Sequence, residues 1–335
     1  MIRLLRRAVA ALFATLIASA ACAAPGGMPV GPIIMGYHDS WRERPATGPY
    51  ATALVATPAY VNLVALSFVR PDLVYRGDLD LSGTGLSYQF SGAVLRDAIA
   101  LLKRRNPGTR VILSVGALES WRWARFDERA LALLVRQIGA DGVDMDYEPA
   151  MPGCAAGAGG RIGCAVDGNW ISYVRRIRAM LPRPYIVSVA GWSVGAYGEG
   201  QFAAALPHSP WRGMMLGLLR SPAARLIDLV AICAYDAGPA YDPMTALAAY
   251  RHYWKGPLML GVQVPFKGAG GPFRTPAETE ALARRVARWP GAGMMIYSLL
   301  EPPDPSVPAR AHPTGRALAE AACRGLKGGA CPLYP

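Results

Sequence analysis

Histidine is scarce. The chain holds four in 335 residues. His38, His208, His252 and His312 are scattered, and no Cys/His spacing resembles a zinc site, so a histidine-centred metal site is not expected. Charge is scarce too: 17% of residues are charged, against 52% hydrophobic. No block of basic residues interleaved with aromatics offers a nucleic-acid footprint. No Gly-rich phosphate turn follows an early apolar run, which leaves a doubly wound nucleotide-binding sheet without its signature. No Ser/Thr/Pro linker or appended repeat divides the chain, so one large domain is expected.

Long apolar runs are also missing. The N-terminal run from Ala8 to Ala21 is about 14 residues, short of the roughly 20 that span a bilayer, so no stable membrane insertion is expected. Arg3, Arg6 and Arg7 precede this run and small residues around Ala21-Cys22-Ala23 follow it. Residues 1–24 therefore read as a signal peptide cleaved near Ala23/Ala24, with a secreted or periplasmic mature chain over 25–335. A lipoprotein attached through Cys22 is the alternative, disfavoured because Ser19 stands where such sites prefer leucine. Acids are outnumbered, 23 against 35 Lys and Arg, giving a net charge of +12, and losing the three leader arginines lowers it to +9. Such a balance suits an anionic polymer or cell surface, or only a solvated basic surface.

Of six cysteines, five lie beyond the leader. Cys154 and Cys164 bracket a Gly/Ala-rich loop, and Cys323 and Cys331 bracket a Gly-rich tail. In an oxidising compartment each pair is close enough in sequence to close a small loop. Cys233 sits in the apolar run Leu229–Cys233 and reads as a buried free thiol.

Eight short apolar runs recur: Ile33–Tyr37, Val61–Phe68, Arg110–Val115, Gly142–Tyr147, Tyr185–Ala190, Leu226–Tyr235, Leu258–Val264 and Gly293–Leu299. Segments of helical period lie between most of them, as at Gly92–Arg105, Asp127–Ile138, Asn169–Leu181, Asp242–Trp254 and Thr275–Trp289. Alternating strands and helices argue for a parallel sheet, and near-continuous apolar strands argue that both faces are covered. Eight such units predict an α/β fold, a single-domain (β/α)8 TIM barrel. The stretches between strands 1 and 2 and between strands 5 and 6 carry little helix signal. About 30 residues separate strands 7 and 8.

The most informative run is Asp141-Gly142-Val143-Asp144-Met145-Asp146-Tyr147-Glu148. Residues two apart on a strand share a face, so Asp144, Asp146 and Glu148 project together, their Cβ atoms roughly 6–7 Å apart. Carboxylates so close cannot all ionise cheaply. Asp141 has the other parity and is expected to point away and support structure. In a (β/α)8 barrel catalytic groups sit at the C-terminal ends of strands, and Glu148 stands there with Pro149 behind it.

This run resembles the signature of glycoside hydrolase family 18, the chitinase family, with acids at the spacing D-x-x-D-x-D-x-E. Gly36-Tyr37, Ser114-Val115-Gly116 and Tyr235-Asp236 resemble its strands 1, 3 and 6. The resemblance spans about residues 33–300. It implies a hydrolase of β-1,4-linked N-acetylglucosamine polymers, working by substrate-assisted, retaining cleavage, with no cofactor and no metal. Glu148 would be the general acid, Asp146 would hold the acetamido group, and Asp144 would share a proton with Asp146. Tyr235 would donate to the acetamido oxygen and Asp236 would contact the sugar. Tyr37 and Ser114 would support Asp144, although Tyr37 also suits ordinary packing. Gln263 either faces the site or is a loop-edge glutamine. The partner implied is an N-acetylglucosamine-containing polysaccharide or oligosaccharide, cut by a monomer. The alternatives are another N-acetylhexosamine glycan, such as an N-glycan core, cell-wall or exopolysaccharide, or a non-catalytic glycan-binding barrel, disfavoured because Glu148 is present.

The chain also departs from that pattern. Tyr297 stands where the family usually has a tryptophan flooring the cleavage subsite, and Tyr147 replaces a tryptophan inside the signature, which puts the preferred sugar in doubt. The strand 7–8 connection is too short for the extra α+β domain that deepens the cleft in one branch of the family, so the resemblance implies a barrel without that insertion, a more open cleft and endo-type cleavage. Trp41, Trp121, Trp123, Trp192 and Trp211 follow strands 1, 3 and 5, where either sugar stacking or packing under loops is open to them.

Overall fold

The eight apolar runs become eight strands. The computed structural model describes residues 25–117, 120–266, 270–306, 313–329 and 331. The leader, its cleavage site and Cys22 lie outside the described residues, as does His312. The strands are β1 (Ile34–Asp39), β2 (Leu63–Val69), β3 (Arg110–Ala117), β4 (Gly142–Tyr147), β5 (Ile186–Trp192), β6 (Leu229–Cys233), β7 (Leu258–Gln263) and β8 (Ala292–Tyr297). Each pairs in parallel with the next, and β8 pairs with β1, so the sheet closes into a barrel. Closure leaves no unpaired edge.

Seven helices accompany them among the described residues: α1 (Gly92–Arg105), α2 (Glu128–Gln137), α3 (Asp167–Met180), α4 (Leu216–Arg220), α5 (Pro243–Tyr253), α6 (Pro276–Val286) and α7 (Gly315–Lys327). Several start one residue later than their sequence period suggests because the first polar residue is the cap. The Asp127 and Asp242 carboxylates accept the exposed N–H groups of the first turn, and Thr275 with Glu278 forms a reciprocal capping box ahead of Pro276. The two stretches poor in helix signal are indeed irregular. Only short 3-10 turns join β1 to β2, and the β5–β6 connection holds the five-residue α4. The connection from Gln263 to Ala292 carries α6 alone among its described residues, so no α+β insertion is found there.

Strand parity sorts the side chains into two cores. Met35, Leu63, Ala65, Ile112, Ile186, Leu229, Ala231, Met259 and Met295 fill the barrel, with Tyr37 above them. Val64, Leu113, Val143, Met145 and Val230 face outward into the larger core beneath the helices. Tyr147 belongs to this outer set. Its ring meets Trp123, Trp170 and Tyr173 at 5.3, 5.3 and 5.4 Å. The exchange at this position within the signature is therefore a matter of packing behind the strand, and it does not bear on the sugar.

Asp141 also points outward, at the base of β4. Its Oδ2 accepts the Val111 N–H at 2.9 Å, and its Oδ1 accepts Lys103 Nζ at 2.7 Å and the Gly26 N–H at 3.0 Å. Disulfides Cys154–Cys164 and Cys323–Cys331 are both formed. The first ties the ends of a small antiparallel hairpin, Cys154–Ala156 with Ile162–Cys164, that follows β4.

Truncating Asp141 removes three acceptor contacts and leaves the Lys103 ammonium, only 16% exposed, without its carboxylate. Asp141→Ala should lower unfolding stability by about 3 kcal/mol or more, read from the midpoint of a denaturant titration. An unchanged midpoint would show that this anchor is dispensable.

Candidate active site

β4 delivers its acids to three depths of the barrel mouth. Asp144 is wholly buried where the apolar filling ends. Its Oδ2 accepts Tyr37 Oη at 2.7 Å and Ser114 Oγ at 3.0 Å, one from β1 and one from β3. Ser188 of β5 faces it across the next register position. Burial raises the Asp144 carboxyl above the usual aspartate range, and the hydroxyl donors work against that rise.

Asp146, one step higher, is 7% exposed. Burial first, then the Glu148 and Asp144 charges, hold its carboxyl well above the usual range. It is hydrogen-bonded to Glu148. Asp146 thus pairs with Glu148 above it, where a proton can be held between the two carboxyls, while the expectation paired it with Asp144 below. Asp144 instead takes Tyr37 and Ser114, both on its Oδ2. Glu148 is pushed up to about 7, chiefly by burial and secondarily by the Asp236 charge, while the Asp146 hydrogen bond opposes the rise.

Space for these groups depends on Gly116. It pairs with Asp146 across the β3–β4 ladder and has φ of 130°. A Cβ there would lie 1.9 Å from the Asp146 carbonyl oxygen. Only glycine allows this approach, and the missing side chain leaves the cavity open above Asp146.

The cavity has a volume of about 590 Å³. Asp146 and Glu148 line it together with Tyr37, Tyr235, Asp236 and Tyr297, and so do Trp41 and Trp192. Tyr297 packs in its wall, with Tyr235 stacked at 5.8 Å and Tyr37 edge-on at 5.5 Å. Burial, followed by the Cys233 side chain beside it, holds the Tyr235 hydroxyl well above the usual tyrosine range, so it remains a proton donor. Cys233 is a free thiol, as its apolar run suggests, and it also reaches the cavity wall.

The tryptophans divide between the two uses. Trp41 stacks on Phe68 at 5.8 Å and keeps 42% of its surface exposed. Trp192 stacks on Trp211 at 4.5 Å, and Trp211 in turn donates to the Pro149 carbonyl at 2.8 Å. Trp123 is buried packing. The Trp121 side chain lies outside what is described.

Gln263 does not line the cavity. Its Nε2 donates to Asp236 Oδ1 at 2.9 Å, and the Gly270 N–H donates to the same oxygen at 2.5 Å. Asp236 has φ of 53°, a left-handed conformation that aspartate tolerates better than most residues. Gln263 thus fixes the carboxylate that faces Glu148. Sequence reasoning missed Phe68, Arg70, Gly85 and Phe266 in the lining. Phe68 and Arg70 stand at the C-terminal end of β2, so the barrel rule was available as a signal. Gly85 and Phe266 sit on irregular loops with no such signal. Among the described residues no group of three or more His, Cys, Asp or Glu is placed to hold a metal ion.

Fold and site define a closed (β/α)8 barrel whose fourth strand carries a buried carboxylate row into an aromatic cavity. The chain is chitinase-like in both sequence and fold. Over 130 residues it is 32% identical to a chitinase of Plasmodium falciparum, a stretch covering 35% of this chain and 32% of that protein. The chain thus matches about a third of that relative's length. The family 18 chitinase of Pseudoalteromonas aurantia has the same fold at a TM-score of 0.55 and 20% identity, over 80% of this chain and 94% of that one. A class V chitinase mutant from Nicotiana tobaccum, solved in complex with NAG4, superposes with a TM-score of 0.53 at 12% identity, over 88% of this chain and 99% of that one. No family model matches the chain.

The raised Glu148 carboxyl has a stability consequence. A carboxyl ordinarily near 4.5 and held at about 7 in the fold binds more protons folded than unfolded between those values. Its folded-state cost is absent below 4.5, grows as pH rises from 4.5 to 7, and levels off above 7. Glu148→Gln should match the parent at pH 4 and exceed it by up to about 3 kcal/mol at pH 8, measured by denaturant titration at both pH values. Equal stability at pH 8 would show that Glu148 is not raised.

Proposed function

We propose that the protein is a glycoside hydrolase of family 18 that cleaves β-1,4-linked N-acetylglucosamine polymers with retention. The carrying observation is the row Asp144, Asp146, Glu148, graded from wholly buried to cavity-lining, with Asp146 hydrogen-bonded to Glu148. Glu148 is the general acid that protonates the glycosidic oxygen. Its carboxyl near 7 keeps the proton at neutral pH and yields it readily, as general acid catalysis requires. The substrate's own acetamido oxygen attacks the anomeric carbon, and the oxazolinium so formed is opened by water. Asp146 orients the acetamido group and balances its developing positive charge. Tyr235 donates to the acetamido oxygen. Asp236, held by Gln263 and Gly270, contacts the sugar from the opposite wall. Asp144, pinned by Tyr37 and Ser114, sets the charge beneath Asp146.

The chain acts as a secreted or periplasmic monomer after loss of residues 1–24, a setting that suits its two disulfides. Trp41 with Phe68 and Trp192 with Trp211 provide stacked faces on separate walls of the cavity, which supports internal cleavage of a bound chain.

Release of reducing ends from chitin oligosaccharides tests this reading. Glu148→Gln should lower the rate by about 10²–10⁴-fold with binding retained. Binding without turnover by either protein would replace the enzyme with a glycan-binding barrel. Turnover of a different aminoglycan but not chitin would move the substrate within the class.

The rate should also carry the proton state of Glu148. Because the acid form is the active one, kcat/KM should fall as pH rises through about 7. A profile flat to pH 9 would remove Glu148 from that role.

A further inference from the structure

We propose that Arg70 is a receptor for a carboxylate carried by the substrate, so that the preferred glycan is an N-acetylhexosamine polymer bearing an acidic substituent near the cleaved bond. This deepens the glycosidase reading and rests on it. Arg70 is the one cationic residue among the described residues that line the cavity, whose other charged members are Asp146, Glu148 and Asp236. None of the proposed steps on a neutral sugar uses it.

Its geometry is that of a half-used fork. Arg70 Nε donates to Asp72 Oδ1 at 3.2 Å, and no hydrogen bond from either terminal nitrogen is made to the described protein. The side chain is 38% exposed. Two parallel N–H groups on a planar guanidinium match the two oxygens of a carboxylate. Asp72 neutralises Arg70 only in part, because it also accepts from Arg122 and Arg125.

The residue is held in place at its base. The Arg70 N–H donates to the Thr84 carbonyl at 2.8 Å, and its own carbonyl accepts the Leu73 N–H at 3.2 Å. Gly85, with φ of 98°, passes so close that a Cβ there would meet Arg70 N at 2.7 Å and Arg70 Cγ at 2.8 Å. The loop from β2 to α1 thus fixes the root of the side chain, and Arg70 joins Phe68 and Trp41 in the cavity lining. Aromatic faces serve any pyranose ring. A guanidinium kept on the wall without a full partner selects for negative charge.

Equilibrium binding decides the matter, measured on Glu148→Gln protein so that turnover does not interfere. The probes are a tetrasaccharide alternating N-acetylglucosamine with its 3-O-lactyl acid, the same tetrasaccharide with the lactyl carboxylates amidated, and chitin tetrasaccharide. The acid form should bind about 10–100-fold tighter than its amide, the range of a charge-assisted hydrogen-bonded pair. Adding Arg70→Gln should bring that ratio to about 1, and added salt should shrink it in the Arg70 protein. Equal affinity for acid and amide, failure of both to bind, or a preference that survives Arg70→Gln would overturn the inference. Hydrolysis of the three glycans by the Glu148 protein is followed in parallel. If none is cut, the glycosidase reading falls, while the acid–amide ratio still decides the role of Arg70.

Discussion

The hydrogen bonds from Tyr37 and Ser114 to Asp144 tie β1 and β3 to β4 at the level where the apolar filling of the barrel stops. Below them the interior is methionine, leucine and isoleucine; above them it is carboxyl, hydroxyl and aromatic ring. An acid buried at that boundary is costly unless protein donors meet it, and Tyr37 and Ser114 both do so on Oδ2. One step higher, Asp146 is hydrogen-bonded to Glu148. The innermost acid acts on that outer pair through its charge, which adds to burial and to Glu148 in holding the Asp146 carboxyl above its usual range.

Strand parity carries that constraint into the rest of the fold. The same two-residue period that turns Asp144 and Asp146 inward turns Val143, Met145 and Tyr147 outward against the helices. A slip of one residue would exchange a carboxylate for a methionine in the cavity and bury an acid under α3. Asp141 opposes such a slip. It binds the backbone of β3 and the Lys103 side chain of α1 from the outer face, at the start of the strand whose far end does the chemistry.

Much of this was legible in the chain because period is a local property. The eight strands, the helices between most of them, the outward Asp141 and the inward acid row all follow from spacing. What was not legible depends on where loops return. Asp236 Oδ1 receives both the Gln263 amide and the Gly270 N–H, the second from a connection that carries no periodic signal. Gly85 meets Arg70 through a turn of the β2–α1 loop that carries no periodic signal. Tyr147 shows the opposite failure. Its parity was available from the spacing, yet its place within a signature made it look like a cavity residue.

The proton equilibrium of the site illustrates the division between motif and surroundings. The signature spacing brings acid groups together, and mutual repulsion would then be the expected source of a raised Glu148. In the fold the larger cause is burial, and the charge that adds to it is Asp236 on β6's exit, not Asp144 or Asp146. Asp236 in turn is placed by Gln263 and by its own left-handed backbone. A chain could keep every residue of the strand-4 run and still lose a neutral acid at pH 7, simply by opening the aromatic wall to water or releasing Asp236. The motif determines which atom carries the proton; the cavity wall determines at what pH it is still there.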